Sequence, residues 1–218
     1  PAYIRFAECV SSLEPGIVSA FTATASPHIV SEVTRLLFDD EPPHIVAGVP
    51  DRPNIHYTIR PTLSKSHELR LLASTMQRPG IIFCRSRAGT EVTAQLLRYS
   101  LGDKNIRFYH AGLSREERTS IEEWFCDASD AILTATCAYG MGVDKADIRT
   151  VVHRDAPTSI EAYLQETGRA GRDRKESIAV TLFSYEDLVL PEENSLPGAD
   201  DIGPGSHSAG AGTGADAA

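Results

Sequence analysis

Short β-rich runs alternate with amphipathic helical stretches between residues 17 and 183, and this alternation constrains the fold more than any other feature. Short runs rich in branched and aromatic residues are typical of buried strands. Strands that alternate with helices form a parallel sheet with helices on both faces. The sequence therefore predicts an α/β fold with strands at Ile17–Thr22, Ile55–Ile59, Gly80–Cys84, Ile106–Tyr109, Ala131–Ala135, Thr150–His153 and Ile178–Phe183.

Three of the intervening helices carry recognisable start signals. The first follows Ser26 and Pro27, a pair typical of a helix N-terminus. The second begins at Ser114, which fits a capping box with Glu117, and the third begins near Thr158, which fits the same box with Glu161. The apolar faces of the first two helices are predicted to hold Ile29, Val33, Leu36, Leu37, Ile121, Trp124 and Phe125.

A break rich in proline and acids at residues 39–43 divides the chain, and a linker follows it. We expect residues 1–45 to be the last strand–helix unit of one lobe and residues 46–190 to form a second lobe. Residues 191–218 are rich in Gly, Ala, Ser and Asp, and they have too little apolar surface to offset the entropy of ordering. We therefore predict a disordered, low-complexity tail.

The formal net charge of -9 comes mostly from the C-terminal end, because eight acids and no bases follow Lys175. Residues 1–175 hold 22 acids and 21 bases, so charge neither supports nor excludes a phosphate-binding face. No apolar run approaches the roughly 18 residues of a membrane span. The four cysteines are widely spaced, which favours buried thiols in a reducing compartment over a metal site or disulfides.

Ligands of parallel sheets bind at the carboxyl ends of the strands, so the residues directly after each strand are candidate site residues. Arg85 and Ser86 stand at a predicted helix start, where cations and backbone N–H groups suit a phosphate. Solvated arginines would fit that position equally well. His110 and Gly112 follow the strand at Ile106–Tyr109, and the glycine would let a nucleic-acid strand approach the backbone. An ordinary turn is the alternative.

Two further loops contain small or flexible residues after a strand. Thr22 and Thr24 can hydrogen-bond to a neighbouring loop, although a Thr/Ala run more often ends a strand and caps a helix. Gly140 and Gly142 permit backbone geometries that other residues avoid, and Asp144 adds a carboxylate just beyond them. A plain loop does not need this combination, yet the glycines do not identify a ligand.

Residues 165–173 are the most informative segment. If the preceding helix continues, Gln165, Arg169 and Arg172 lie at i, i+4 and i+7 on one face. Gly168 and Gly171 each cost a helix about 1 kcal/mol relative to alanine, so two of them indicate a packing or functional reason. One amide and two guanidiniums suit a polyphosphate, because the amide can orient a water and the arginines can neutralise developing charge. The alternative is a helix end with arginines near its negative dipole.

Together and in this order, these segments resemble the RecQ family of superfamily 2 helicases, and the resemblance spans about residues 3–187. A glutamine at the head of the last motif favours RecQ over the DEAD-box relatives, which usually have histidine there. The matching segments, which resemble motif III, the interlobe signature, motif IV, the block after it, motif V and motif VI, are Phe21–Ala25, Asp51–Ile55, Gly80–Arg87, Tyr109–Gly112, Ala135–Asp144 and Gln165–Asp173.

The resemblance implies the second RecA-like lobe of an ATP-dependent 3′-to-5′ DNA helicase that acts on single-stranded or duplex DNA. By this resemblance Arg172 would be the arginine finger at the γ-phosphate, with Arg169 beside it, and Gln165 would position the attacking water. Residues that would bind the nucleotide or couple it to lobe movement are Asp144, Gly142, Thr22 and Thr24. Residues that would line the path of the DNA backbone are Arg85, Ser86, His110, Gly112, Thr134 and Thr136.

The sequence departs from the complete family pattern at both ends. It contains no GxxxxGK(S/T) loop and no DEAH-type acid pair, and the cysteines of the family's zinc-binding region do not follow Phe183. We therefore expect ATP and Mg2+ to be held mainly by a first lobe outside this chain, and the chain alone not to hydrolyse ATP. Two alternatives stay open: a non-catalytic nucleic-acid-binding lobe and a DEAD-box-type RNA helicase. The expected location is intracellular, in the bacterial nucleoid or the eukaryotic nucleus, with no membrane partner.

Overall fold

The computed structural model describes residues 9–10, 12–13, 17–22, 27–38, 43–48, 51–139 and 145–189. Its centre is a six-stranded sheet in which every pair of neighbours is parallel. The strands in chain order are β1 (Ile55–Pro61), β2 (Gly80–Phe83), β3 (Ile106–Tyr109), β4 (Ile132–Ala135), β5 (Thr150–His153) and β6 (Ser177–Phe183). Their order across the sheet is β1-β6-β5-β2-β4-β3. The predicted parallel α/β sheet is confirmed.

The strand predicted at Ile17–Thr22 is wrong, because these residues adopt no regular structure. Ile17 is 87% exposed and Phe21 is 94% exposed. A strand needs neighbours to satisfy its backbone N–H and C=O groups, and none of the described strands pairs with this segment. A high β-propensity is therefore not sufficient to form a strand here, because no described strand pairs with the segment.

Six helices lie entirely within the described residues. In chain order they are α1 (Pro27–Leu37), α2 (Lys65–Thr75), α3 (Arg87–Leu101), α4 (Arg115–Asp127), α5 (Ile160–Thr167) and α6 (Glu186–Val189). The capping box of α4 is confirmed, since the Ser114 hydroxyl accepts a hydrogen bond from the Glu117 N–H at 3.1 Å and the Glu117 carboxylate accepts one from the Ser114 N–H at 2.8 Å. The predicted start of α5 is one residue early. Its cap is Ser159, whose hydroxyl accepts from the Ala162 N–H at 3.1 Å.

The predicted apolar helix faces are buried to different extents. Phe125 of α4 is fully buried, whereas Ile121 and Trp124 are partly buried and pack against the core. No residue of α1 is buried, although its apolar side chains lie on one face of the helix. The apolar pattern therefore predicts which residues form the helix, but burial of the apolar face also requires another element to pack against.

The core lies on both faces of the sheet. Ile81 and Ile82 are neighbours on β2 and both are 0% exposed, but they belong to different apolar clusters because successive side chains of a strand point to opposite faces. Phe125 of α4 shares the cluster of Ile81. Leu69 of α2 and Leu97 of α3 share the cluster of Ile82. Helices therefore cover both faces, as predicted.

The cysteine prediction is correct for only one residue. Cys84 is buried, whereas Cys9, Cys126 and Cys137 are exposed free thiols. A cysteine beside an apolar run is buried only when its side chain points into a packed layer, as it does at the end of β2. None of the helices in the described ranges is both long and apolar enough to cross a membrane.

Contacts within the chain separate residues 1–184 from residues 185–218. The described part of the second unit contains α6. The boundary predicted near residue 45 stays a prediction, and the predicted low-complexity tail lies outside the described residues.

Candidate functional site

The carboxyl ends of β2, β3 and β4 meet at one edge of the sheet, and their loops are joined by backbone hydrogen bonds. The Cys84 N–H donates to the Ala135 carbonyl at 2.8 Å, and the Thr136 N–H donates to the Tyr109 carbonyl at 3.2 Å. These bonds bring the segments that follow the three strands side by side, as parallel pairing requires. The sheet edge is therefore the candidate site.

The loop after β2 presents cations around a helix start. Arg85 and Arg87 are exposed, and the Ser86 hydroxyl caps α3 by accepting from the Gly89 N–H at 3.0 Å. The Arg85 N–H donates to Asp155 Oδ2 at 3.0 Å, which fixes the loop against the segment after β5. The exposed guanidiniums leave this loop positively charged and suited to a phosphate.

His110 is buried and hydrogen-bonds to the loop after β3. It is only 5% exposed, it stacks on Phe108, and its Nε2 lies 2.8 Å from Glu91 Oε1. Its Nδ1 accepts a hydrogen bond from the Gly112 N–H at 3.2 Å, so Nε2 is the nitrogen that carries the proton toward Glu91. A Cβ on Gly112 would lie 3.2 Å from a guanidinium nitrogen of Arg87. The glycine therefore allows the loops after β2 and β3 to approach closely.

The two threonines of β4 and its loop have different environments. Thr134 is 0% exposed, and its hydroxyl donates to the Thr90 carbonyl at 2.8 Å, which argues against the predicted contact with DNA. On β4, the Thr134 side chain points into the layer between the sheet and the helices that cover it. Thr136 is 8% exposed and lies in the loop, where its carbonyl accepts from the Tyr139 N–H at 3.0 Å. Thr136 is therefore the threonine nearer the candidate surface.

The segment with two arginines is a loop, so the helical i, i+4, i+7 interpretation is wrong. Helix α5 ends at Thr167, and Gly171 has a φ of +52° that interrupts the helical path. Arg169 is buried and Arg172 is exposed, yet both line one small cavity together with Tyr139, Lys145 and Ile148. Gln165 remains on α5 and is exposed. The loop, rather than a helix face, brings the two arginines together.

The packing reason inferred for the glycines is clear at Gly171. A Cβ there would lie 2.5 Å from Asn54 Nδ2 and 2.6 Å from both the Lys175 carbonyl and Ser177 Oγ. Only a residue without a side chain fits this space and this backbone conformation.

Two guanidiniums lie close together at this cavity. Burial lowers the pKa of the Arg169 guanidinium, and the positive charge of Arg172 lowers it further, while Tyr139 and Glu166 act in the opposite direction. The guanidinium carbon of Arg169 lies 5.9 Å from the centre of the Tyr139 ring. Guanidiniums donate several hydrogen bonds in a planar array, which is the chemistry that binds phosphate oxygens.

A buried histidine and glutamate were missed in the sequence. His153 of β5 is 0% exposed and lies between the rings of Phe83 and Tyr163. Its Nε2 lies 2.9 Å from Glu166 Oε2, the residue after Gln165. A histidine that ends a buried strand and a glutamate in the following helix are weak signals individually, so only the tertiary structure reveals the pair.

Several predicted site residues cannot be placed. Thr24, Gly142 and Asp144 lie outside the described residues, and so does Gly140. Thr22 belongs to the exposed segment that replaces the predicted first strand. Within the described ranges, no group of three or more His, Cys, Asp or Glu side chains could hold a metal ion.

The domain family described as the helicase conserved C-terminal domain matches residues 64–174, which covers β2 to β5 and the loop with the two arginines. The chain therefore belongs to this helicase domain family. The structure of Saccharomyces cerevisiae Dbp5 bound to RNA and ADP BeF3 covers 83% of the chain, with a TM-score of 0.67 and 18% identity over 50% of that protein. This likeness concerns the fold, and it confirms the predicted RecA-like fold.

Two sequence relatives confirm the resemblance of this helicase domain to the RecQ family. The ATP-dependent DNA helicase hus2/rqh1 of Schizosaccharomyces pombe is 38% identical over 84% of the chain. The ATP-dependent DNA helicase RecQ of Pasteurella multocida is 36% identical over 87% of the chain. The chain spans 14% of the length of the first relative and 30% of the length of the second.

Proposed function

We propose that this helicase domain supplies the arginines and part of the DNA-binding surface of an ATP-dependent 3′-to-5′ DNA helicase of the RecQ type. The observation that carries the proposal is that Arg169 and Arg172, on the loop before β6, line one small cavity together. Both sequence relatives described above are named DNA helicases, which supports DNA over RNA.

The arginines fit the phosphate end of ATP. Bound ATP supplies the phosphoanhydride bond whose hydrolysis releases free energy. Arg172, which is exposed at the cavity, would neutralise charge that develops on the transferred phosphoryl group, and Arg169 would hold the adjacent phosphates. Gln165 would orient the attacking water. Because the described residues offer no cluster for a metal, we propose that Mg2+ and the remaining ATP contacts belong to a first lobe outside this chain.

The loops after β2, β3 and β4 would bind the DNA backbone. Arg85 supplies positive charge, Ser86 begins α3, and Gly112 and Thr136 keep the neighbouring loops small. His110 would act indirectly, since it is buried and holds the Gly112 N–H. Contacts to phosphates bind without reading the base sequence, which suits a motor that moves along one strand.

The test is DNA-stimulated ATP hydrolysis by the longest natural protein that contains this chain. We expect Arg172→Ala to lower kcat by about 10³-fold or more, with ATP binding nearly unchanged, because the finger acts mainly in the transition state. Arg70→Ala, which removes an exposed arginine from the middle of α2, is the matched control and is expected to retain full activity. Unchanged turnover in Arg172→Ala would reject the assignment.

A second measurement separates the nucleic-acid alternatives. Unwinding of DNA and RNA duplexes with 3′ overhangs is compared for the same protein. Unwinding of RNA alone would favour the DEAD-box-type alternative. Salt-dependent binding of single-stranded DNA without ATP hydrolysis by the intact protein would favour a non-catalytic binding lobe.

A further inference from the structure

Two side chains near the start of the sheet bind the backbone of the arginine loop, residues 168–175, from far away in sequence. Arg52 donates from Nη1 to the Gly168 carbonyl at 3.2 Å. Its Nη2 donates to the carbonyls of Ala170 at 2.9 Å and Gly171 at 2.8 Å. We call Arg52 and its neighbour Asn54 the carbonyl clamp.

Asn54 completes the clamp at the other end of the loop. Its Nδ2 donates to the carbonyls of Gly171 and Lys175, each at 2.9 Å. The clamp therefore binds four carbonyls through five hydrogen bonds, and every acceptor is a backbone oxygen. Neither side chain needs to contact a phosphate to influence Arg169 and Arg172.

The clamp rests on the rigid sheet. The Ile55 N–H donates to the Arg52 carbonyl at 2.9 Å, and the Ser177 N–H donates to the Asn54 carbonyl at 2.9 Å. Ile55 then begins the pairing of β1 with β6, where it lies opposite Ser177. The clamp residues thus have fixed backbone positions from which to hold the loop.

The arginine loop needs such support because its backbone is strained. Gly171 has a φ of +52° and Arg174 has a φ of +65°, a conformation that non-glycine residues rarely adopt. Such conformations persist when the surroundings fix them, and they cluster at functional sites. The charged donors of Arg52 also lie at the C-terminal end of α5, where helix carbonyls lack partners and carry partial negative charge.

We propose that Arg52 and Asn54 are positioning residues that hold the arginine loop in the conformation that directs Arg169 and Arg172 into their common cavity. This inference rests on the proposed function, because Arg169 and Arg172 are taken to contact the phosphates of ATP. One part of it does not depend on ATP: hydrogen bonds to the backbone of the arginine loop set the orientation of the Arg169 and Arg172 side chains.

The first experiment tests whether Arg52 holds the arginine loop, and it uses the 218-residue chain itself. Hydrogen exchange is measured at the Arg174 N–H, which donates to the Gly171 carbonyl at 2.9 Å, and at the Gly171 N–H, which donates to the Ile148 carbonyl at 2.8 Å. We expect Arg52→Gln to accelerate both by about tenfold or more, since local opening becomes easier. Equal exchange in the folded variant and the wild type would overturn the proposal.

The second experiment measures kcat and KM for ATP in the longest natural protein that contains the chain. Arg52→Gln and the isosteric Asn54→Asp are expected to lower kcat about 10- to 100-fold, because displacement of a catalytic group by about 1 Å costs that much. KM for ATP should change little. Arg52→Lys should restore part of kcat, since it keeps the charge but lacks the planar fork.

Arg60→Gln is the matched control, because this β1 arginine is exposed and pairs with Glu68 at 3.0 Å outside the clamp. Arg172→Ala is measured beside the clamp variants. If Arg172→Ala is inactive while folded Arg52→Gln and Asn54→Asp keep kcat within about twofold of wild type, the positioning role is refuted and the proposed function survives. If Arg172→Ala retains full activity, the proposed function fails, and the exchange experiment still decides whether the clamp holds the loop. A purely structural role would lower the melting temperature without separating kcat from KM.

Discussion

Replacing Gly171 with alanine should destabilise the folded chain by about 2–5 kcal/mol, the sum of a conformational and a steric cost. The backbone has a φ of +52°, and an alanine in this left-handed region costs about 1–2 kcal/mol. The new Cβ would also lie 2.5 Å from Asn54 Nδ2 and 2.6 Å from the Lys175 carbonyl oxygen and Ser177 Oγ. Relieving such overlap in a packed region costs about 1–3 kcal/mol.

Gly102→Ala is the matched control for this substitution. Gly102 follows α3 with a φ of +63°, and a Cβ there would meet nothing within 4 Å. The control therefore carries the conformational cost of about 1–2 kcal/mol without the steric one. The difference between the two variants isolates the close packing of the arginine loop against the clamp.

The assay is urea unfolding of each variant, followed by fluorescence of the single tryptophan, Trp124, which packs against the core from α4. Linear extrapolation gives the free energy of unfolding in water. The reasoning is refuted if Gly171→Ala and Gly102→Ala differ by less than about 0.5 kcal/mol, the scatter expected of substitutions without a specific cause.

Two other predictions concern titratable groups. Burial raises the pKa of Cys84 to about 11, and since the thiolate is the reactive form, iodoacetamide at about pH 8 should modify Cys84 at least about 100-fold more slowly than Cys126 and Cys137. Mass spectrometry of the modified peptides measures these rates, and equal rates would contradict the burial. A hydrogen bond from Arg149, at 2.7 Å, holds the pKa of Asp173 below its usual value. The ionised carboxylate therefore stabilises the folded chain above the unfolded pKa of about 4, and this contribution is lost as the pH falls through the lower folded value. Asp173→Asn should be less stable than wild type at about pH 7 and should lose less stability down to about pH 3, as measured by urea unfolding; identical pH profiles would contradict this link.

Much of the fold could be predicted from the sequence because its signals are local. The run at Ile106–Tyr109 is β-rich and short, and it forms the predicted strand with the same bounds. Ser114 and Glu117 are three residues apart, so their capping box depends only on the first turn of α4. Parallel pairing then fixes which strand ends meet, which is why the loops with Arg85 and Gly112 were expected at one edge.

The parts that the sequence could not determine depend on distant residues. The run at Ile17–Thr22 has the propensity of a strand but no described neighbour to pair with, so it stays irregular and exposed. Thr134 was expected at a DNA-binding surface, yet its position on a central strand buries its hydroxyl against the Thr90 carbonyl. Residue type alone does not indicate such an environment.

The sequence by itself determined the α/β class, most strand and helix positions, and the presence of two arginines and two glycines after α5. The tertiary structure decided how those arginines are presented. The sequence left open a helix that continues through Arg172, whereas bonds from Arg52 and Asn54, more than 100 residues earlier, hold a left-handed turn at Gly171 instead. Hydrogen bonds to backbone carbonyls depend on which segments the sheet brings together, and that information is absent from any short stretch of the chain.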